Sequence, residues 1–246
     1  MSLKRKGQDS LHDDFERNGK FKKVVDYGQY EYADDQNIIQ IPPIKTFVFF
    51  DIEATGLPDP DGTLPDMTEL SMVAVSRKSL EGNSVNGCIP RILDKLTLCL
   101  TPERDVTPTA EQMTGLSKPM LGKHDKRPMD TDVDGVLRYF IRRQAPPVCL
   151  VAHAGDRFDF PVLWNELAKV DSEWSAVYTV DSLKFFQQHM PKQNRSLPEL
   201  CRRFLQFETD HDAEGDVMGL IRLVSSCRFA DSFLEWAQEN VMEFSL

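Results

Sequence analysis

A short apolar segment that ends in two acidic residues constrains this chain most. The sequence Phe47-Val-Phe-Phe-Asp-Ile-Glu-Ala-Thr-Gly-Leu57 begins as a run typical of a buried strand, and its carboxylates Asp51 and Glu53 are separated by one residue. Alternate side chains of a strand share a face, so both carboxylates can point the same way. Because like charges at that spacing repel one another, the pattern indicates a site for a hard divalent cation, which takes oxygen ligands. A strand end with surface acids is the alternative interpretation.

Charge and composition narrow the class of protein. The net charge of −10 argues against a protein that coats nucleic acid with a basic face. It is compatible with an enzyme that acts on nucleic acid, because clustered acids that hold cations contribute several of these negative charges. The five cysteines include no Cys-x-x-Cys pair, so neither a zinc site nor a disulfide framework is indicated.

The N-terminal part differs from the rest of the chain. Residues 1–44 mix charged and polar side chains, which predicts a flexible arm ahead of a folded domain at 45–246. The basic clusters Lys4-Arg5-Lys6 and Lys20 to Lys23 are typical of a nuclear import signal or a nucleic-acid contact, and a solvated tail is the alternative. No apolar run approaches the roughly 20 residues that span a membrane. We therefore expect an intracellular protein of the nucleus, the cytoplasm or both, without membrane attachment.

Hydrophobic periodicity predicts a mixed α/β domain. The first strands are predicted at 45–51, 67–77 and 93–100, with a connection at Ser79 to Pro90, and they resemble an antiparallel meander. Later strands are expected at 148–152 and 178–180. Helices are predicted from Thr107, at 132–143, from Phe160, and at about 181–189, 197–207, 213–227 and 230–242. Strands followed by alternating strands and helices indicate a mixed sheet flanked by helices.

Two further segments carry residues suited to chemistry. In Ala152-His-Ala-Gly-Asp-Arg-Phe-Asp-Phe-Pro161 a strand runs into a glycine turn and a helix start, where Asp156 and Asp159 are favoured by the helix N-terminus. Helix capping alone would explain one of them. The segment His211-Asp-Ala-Glu-Gly-Asp216 opens a helix, and its first and last residues can overhang the same cleft. A surface or capping role is the alternative for His211.

Together the three segments resemble the motifs of the DEDDh 3′-to-5′ exonucleases, in the same order and with similar spacing. The segments Val151-Ala-His-Ala-Gly-Asp-Arg-Phe-Asp-Phe-Pro-Val-Leu and His211-Asp-Ala-Glu-Gly-Asp-Val are similar to those of the three-prime repair (TREX) branch. The resemblance covers about 45–240. It implies a ribonuclease H-like fold and a DNA-degrading or DNA-repair hydrolase.

The resemblance also implies roles for the acidic residues and the histidine. Asp51, Glu53, Asp159 and Asp216 would bind two Mg2+ ions, for which Mn2+ can substitute. Asp51 would bridge both ions, Glu53 and Asp216 would complete the first site, and Asp159 would serve the second. Two such ions can clamp the attacking and leaving oxygens of a phosphoryl displacement. His211 would act as general base, since an imidazole titrates near neutral pH.

Substrate contacts follow from the same resemblance. The backbone at Ala54 and Thr55 would hold the terminal nucleotide, and Leu57 would wedge beside the terminal bases. Glu53, His211 and Asp216 would also touch the substrate, whereas Arg157 would meet backbone phosphate or pair with a neighbouring acid. The partner implied is a DNA 3′ end, single-stranded or frayed from a duplex, and the product is a 5′-mononucleotide.

Some features depart from the family pattern. The connection from His189 to Ser196 is shorter than the basic loop of the mammalian members, and it contains Lys192 and Arg195. The proline-rich insertion and hydrophobic C-terminal tail of the longer mammalian member are missing. Members form homodimers through edge strands, which the resemblance extends to this chain.

Two other functions remain open at this stage. An RNA 3′-end exonuclease of the same superfamily would use the same acids, because stacking does not discriminate between sugars whereas contacts to the 2′-hydroxyl do. A non-catalytic nucleic-acid-binding module would keep the fold without turnover. The complete set of four acids and His211 favours the DNA exonuclease.

Overall fold

The computed structural model describes residues 42–81, 89–174, 177–190, 193–209 and 212–244. The two basic clusters of the N-terminal part lie outside these ranges. Ile44 is completely buried, and its backbone N–H donates to Gln238 Oε1 at 2.9 Å. The folded body therefore includes at least Ile44. Within the described ranges, no helix has both the length and the apolar character that crossing a membrane requires.

Six strands form one mixed sheet in the order β3-β2-β1-β4-β5-β6. The strands are β1 (Thr46–Ala54), β2 (Met67–Ser76), β3 (Ile92–Cys99), β4 (Val148–Ala152), β5 (Val177–Asp181) and β6 (Met242–Phe244). The first three strands pair antiparallel, which confirms the predicted meander. Strands β1, β4 and β5 run parallel, and β6 returns antiparallel beside β5. The mixed α/β sheet expected from the sequence is confirmed.

The described part of the chain contains nine helices. They are α1 (Arg77–Glu81), α2 (Pro108–Thr114), α3 (Lys118–Lys123), α4 (Thr131–Arg142), α5 (Asp159–Ala168), α6 (Ser182–His189), α7 (Leu197–Leu205), α8 (Ala213–Val224) and α9 (Ala230–Asn240). A single 3₁₀ turn spans Gly155–Arg157. Part of the connection predicted at Ser79 to Pro90 is wrong, because α1 extends through its first residues. Helix α3 and strand β6 were not predicted.

The core has one layer on each face of the sheet. Side chains of β1 alternate between the layers: Phe47 and Phe49 pack with α6–α9, whereas Val48 and Phe50 pack with α4 and α5. All four are buried. Strand β1 lies between β2 and β4 in the middle of the sheet. It pairs with β2 along its whole length, whereas its pairing with β4 ends at Phe49, so β2 is the strand that holds the C-terminal end of β1. The acidic residues predicted to carry chemistry lie at that end.

Candidate active site

Asp51 and Glu53 lie at the end of β1 and are both half-buried. They continue the alternation of Phe47 and Phe49, so they share the sheet face that α6–α9 cover. Ile52, between them, packs into the opposite core layer. The strand therefore presents two carboxylates on one face and anchors them through an apolar side chain on the other.

Asp159 brings a third carboxylate to the same place. It is the first residue of α5 and is almost completely buried. Its Oδ1 accepts a hydrogen bond from the backbone N–H of Ile52 at 3.1 Å. Because Ile52 separates Asp51 from Glu53, this bond places the Asp159 carboxylate beside the backbone that links the first two acids.

Helix α8 packs on the sheet face that carries Asp51 and Glu53, and it brings Asp216 to the site. The helix packs across β1 and β2. It begins after Asp212, whose carboxylate caps it by accepting from the N–H of Gly215 at 2.7 Å. The negative charge of Asp216 acts on both Asp51 and Glu53. His211, the predicted general base, lies outside the described residues, immediately before Asp212.

Burial and mutual repulsion make these acids difficult to ionise together. Burial, followed by the charges of Asp159, Asp216 and Glu53, holds the pKa of Asp51 well above its ordinary value. Burial, then the charges of Asp216 and its neighbours, raises the pKa of Glu53 to about 7. Burial raises the pKa of Asp159 to about 8, although the Ile52 hydrogen bond opposes that change. A positive charge among them would remove the repulsion.

The four acids offer the type of ligand that divalent cations bind. Within the described ranges, no three side chains of His, Cys, Asp or Glu form a cluster that could hold a metal ion as it stands. Burial, together with the charges of neighbouring acids, raises the pKa values of Asp51, Glu53 and Asp159. All four acids offer oxygen, the ligand that Mg2+ and Mn2+ take. Binding would therefore require the side chains to close around the ions.

Comparison with known proteins identifies the family. The Exonuclease family profile matches residues 48–224, a range that contains all four acids. The chain is 38% identical over 224 residues to three-prime repair exonuclease 1 of Bos taurus, an alignment that covers 82% of this chain and 69% of that protein. It is 40% identical over 218 residues to three prime repair exonuclease 2 of Homo sapiens, with 82% and 90% covered. This chain is a member of the three-prime repair exonuclease family.

Solved structures support the fold of this family member. Escherichia coli exonuclease I in complex with an oligonucleotide superposes with a TM-score of 0.56 at 16% identity, covering 78% of this chain and 42% of that one. Exonuclease I of Methylocaldum szegediense gives the same TM-score at 18% identity, again over 78% and 42%. The exonuclease described here thus spans less than half the length of either chain. The ribonuclease H-like fold is confirmed.

The turn that follows β1 is held from two sides. Thr55 donates its N–H to Asp66 O at 2.9 Å, and its hydroxyl accepts from the N–H of Asp66 at 3.1 Å. On the other side, the N–H of Thr107 donates to Thr55 O at 2.8 Å. Lys169, the residue directly after α5, bonds both Asp66 and Glu166 at 2.9 Å. The helix that carries Asp159 is thereby tied to the turn predicted to hold the terminal nucleotide.

Apolar side chains project from this turn and from the neighbouring helix. Leu57, the predicted wedge, is 80% exposed, and Met113 of α2 is 62% exposed. A large apolar side chain with so much exposure gains little from the fold, so contact with a ligand is a reason to keep it. Ala54, in contrast, is buried as the last residue of β1, so only its backbone is suited to a contact.

Arg157 is exposed within the 3₁₀ turn that precedes Asp159. Its predicted alternative role was an ion pair with a neighbouring acid. No ion pair of Arg157 occurs with any residue that the structure describes, whereas the adjacent Asp156 pairs with Lys184. The guanidinium thus remains available for a phosphate.

Sequence analysis missed Glu69 of β2. Glu69 lies directly opposite Glu53 in the antiparallel register of β1 and β2. Its Oε2 accepts from the N–H of Ala213, the first residue of α8, at 3.0 Å. Helix α8 is also held through Glu214, which bonds Lys95 of β3 at 2.6 Å. A single acid in an alternating strand is typical of a solvent-facing position, so no local signal distinguishes Glu69.

Replacing Glu69 should separate its role as a hydrogen-bond acceptor from its charge. We expect Glu69→Leu to lower kcat roughly tenfold or more, because the first turn of α8 loses the bond that fixes Ala213. Glu69→Gln keeps an acceptor oxygen and should retain most of the activity. Steady-state kinetics on single-stranded DNA measures both variants. An equal loss in the two would show that the charge of Glu69, rather than its bond to α8, matters.

Asp181 at the end of β5 is a second residue that the sequence did not single out. Its Oδ1 accepts from the N–H groups of Ala154 at 2.8 Å and Leu183 at 2.9 Å. Ala154 has a left-handed backbone with φ of 62°, which is unfavourable for a residue with a Cβ. Asp181 therefore stabilises the strained turn between β4 and α5, the helix that begins at Asp159.

Proposed function

We propose that this chain is a metal-dependent 3′-to-5′ DNA exonuclease that releases 5′-mononucleotides. One observation carries the proposal. The carboxylate of Asp159 is hydrogen-bonded to Ile52, between Asp51 and Glu53, although the bonded residues are 107 positions apart in the sequence. Carboxylates that are buried together at such cost in repulsion are typical of a site built for cations. Membership of the three-prime repair exonuclease family agrees with this function.

In this proposal the four acids hold two divalent cations, Mg2+ or Mn2+. Asp51 would contact both ions, Glu53 and Asp216 would complete one site, and Asp159 would serve the other. When bound, the ions neutralise charge on the scissile phosphate and acidify the attacking water. The acids thereby keep negative charge near the phosphate without repelling it.

His211 is proposed to take the proton of the attacking water. Its position immediately before the cap residue Asp212 places it in sequence next to the helix that carries Asp216. As the water oxygen bonds to phosphorus, the bond from phosphorus to the 3′-oxygen of the preceding nucleotide breaks. The leaving oxygen then takes a proton from solvent. The products are a 5′-mononucleotide and a strand shortened by one.

The remaining predicted contacts surround the strand end. The backbone at Ala54 and Thr55 holds the terminal nucleotide, Leu57 wedges beside its base, and Arg157 meets a backbone phosphate. Leu57 and Arg157 are both exposed in the structure, which supports these roles. The substrate is a DNA 3′ end, single-stranded or frayed from a duplex.

A homodimer through an edge strand is also proposed. Strand β3 forms one edge of the described sheet, and its Leu93 is 48% exposed. An open groove of about 600 Å³ lies between β3 and α4. Edge strands with exposed apolar side chains favour pairing with another strand.

The proposal is tested by assaying wild type and His211→Ala side by side with Mg2+ on single-stranded DNA, nicked duplex and RNA. Wild type should shorten DNA from its 3′ end one nucleotide at a time. His211→Ala should lower kcat by roughly 10²- to 10⁴-fold, the usual contribution of a general base. Its melting temperature should stay close to that of wild type.

Three outcomes would contradict the proposal. Intact single-stranded DNA under conditions that degrade a control would exclude the exonuclease. Preferential degradation of RNA would favour the RNA 3′-end exonuclease. Tight DNA binding in chelator without turnover in Mg2+ would favour a binding module.

A further inference from the structure

An arginine-rich surface lies on the outer side of α7 and at the end of α8. We call it the arginine surface, and it comprises Arg203, Phe204, Phe207, Arg222 and Arg228. The guanidinium carbons of Arg203 and Arg228 lie 5.7 and 4.9 Å from the ring centre of Phe204. The guanidinium carbon of Arg222 lies 4.6 Å from the ring centre of Phe207. Two of these arginines, Arg203 and Arg228, are exposed.

The chemistry of this surface suits phosphate. None of its three arginines forms an ion pair with an acidic residue among those that the structure describes. A guanidinium that stacks on a ring keeps its N–H groups free at the edge, where they match the oxygens of a phosphate. The chain as a whole carries a net charge of −10, so a nucleic-acid strand is repelled except where positive charge is concentrated.

Contacts connect the arginine surface to the candidate active site. Arg203 is hydrogen-bonded to Gln193. In the same segment, the carbonyl of Arg195 accepts from His153 Nε2 at 2.7 Å. His153 directly follows β4 and precedes Asp159 by six positions. Segment 193–195 therefore connects α7 with the turn that leads from β4 to Asp159.

Helix α8 provides a second connection. Arg222 follows Asp216 by six positions in this helix, which corresponds to about 9 Å along its axis. A strand advances about 3.4 Å per nucleotide in a duplex, so about three nucleotides cover that distance. Along the axis of α8, the upstream phosphates of a strand whose 3′ end occupies the site therefore come level with Arg222, which projects about 120° around the helix from Asp216.

We propose that the arginine surface binds phosphates of the substrate strand several nucleotides upstream of its 3′ end. This inference rests on the proposed exonuclease function. The short connection from His189 to Ser196 offers only two cationic side chains, Lys192 and Arg195. The arginine surface supplies the positive charge that a long strand requires beyond the site.

The test compares a short and a long substrate. The double variant Arg203→Gln/Arg228→Gln should raise KM roughly tenfold for a long single-stranded DNA. Its kcat should not change. The substrate should exceed ~16 nucleotides, the upper length that a single-strand-binding groove covers. A dinucleotide does not reach the surface, so its KM should be the same in wild type and variant. The slope of log KM against log salt should become shallower by about 1.4, because each lost phosphate contact on a single strand contributes about 0.7.

Arg142→Gln is the matched control. Arg142 is also an exposed arginine, but it lies on α4, which packs on the opposite face of the sheet. This variant should behave as wild type on both substrates. An unchanged KM and salt slope for the long strand in the double variant would overturn the inference. An equal rise in KM for the dinucleotide would overturn it as well, because the damage would then lie in the site.

Failure of the proposed function can be told apart from failure of this inference. If wild type degrades neither substrate, the exonuclease proposal fails. Equilibrium binding of the long fluorescent strand in chelator then tests whether the arginine surface binds DNA, because binding does not require turnover. Weaker binding by Arg203→Gln/Arg228→Gln than by Arg142→Gln supports phosphate binding at the arginine surface, and equal binding overturns this inference.

Discussion

Asp51→Asn is expected to abolish DNA degradation while it stabilises the metal-free protein. Activity should fall by roughly 10³-fold or more, because a residue proposed to contact both cations loses the charge that binds them. Stability should rise in chelator, since burial and four neighbouring acids oppose ionisation of Asp51. Asparagine keeps the shape of the side chain without its charge. The opposite signs of the two effects distinguish a functional acid from a structural one.

Kinetics and thermal unfolding of the same preparations measure both effects. Glu239→Gln is a suitable control, because Glu239 is an exposed acid on α9 that forms no ion pair with a described residue. It should change neither activity nor melting temperature. A lower melting temperature of Asp51→Asn in chelator would show that the charge of Asp51 contributes to folding. Activity close to wild type would remove Asp51 from the catalytic site.

The metal-free protein is expected to lose stability as the pH rises from about 5 to about 8. The folded state holds the proton of Glu53 up to a pKa of about 7 and that of Asp159 up to about 8. In the unfolded chain, both carboxyls ionise near pH 4. Between these values the folded state binds more protons than the unfolded state, so the free energy of unfolding falls with increasing pH. For Glu53, which is only half-buried, solvent screening reduces the change to on the order of 1–2 kcal/mol.

Denaturant unfolding in chelator at several pH values measures this slope. Glu53→Gln should flatten it, because one of the buried carboxyls whose pKa is raised in the folded state is removed. Mg2+ should restore stability mainly at the high end of the range, where the acids are ionised and binding displaces no protons. A free energy of unfolding that rises between pH 5 and pH 8 in chelator would contradict the repulsion deduced for the site.

The sequence predicts the elements that carry a strong local pattern. The apolar run before Asp51 indicates β1, and the strand period places Asp51 and Glu53 on one face, as the structure has them. The capped helix after Thr107 also agrees, with the hydroxyl of Thr107 accepting from the N–H of Ala110. Short elements carry too little pattern, which is why α3 and the three residues of β6 were missed.

Glu69 and Asp181 were not predicted because their roles depend on contacts between segments that are distant in the sequence. Glu69 becomes important only through its register opposite Glu53 and its bond to Ala213 of α8. Asp181 becomes important because parallel pairing brings it beside the turn at Ala154. Neither relation follows from the residues near Glu69 or Asp181 in the sequence. The roles of the four acids as metal ligands, and of His211 as the base, stay predictions from the family resemblance.

The distribution of the candidate site along the chain has a consequence for biosynthesis. Its acids come from β1, the start of α5 and the first turn of α8, so they meet only after the parallel strands have paired and α8 has packed on them. Synthesis proceeds from the N-terminus, and a nascent chain that stops before α8 carries Asp51 and Glu53 without Asp216. Prematurely terminated copies therefore lack one of the four acids of the candidate site. The site is completed only when α8 has been synthesised and has packed on the sheet.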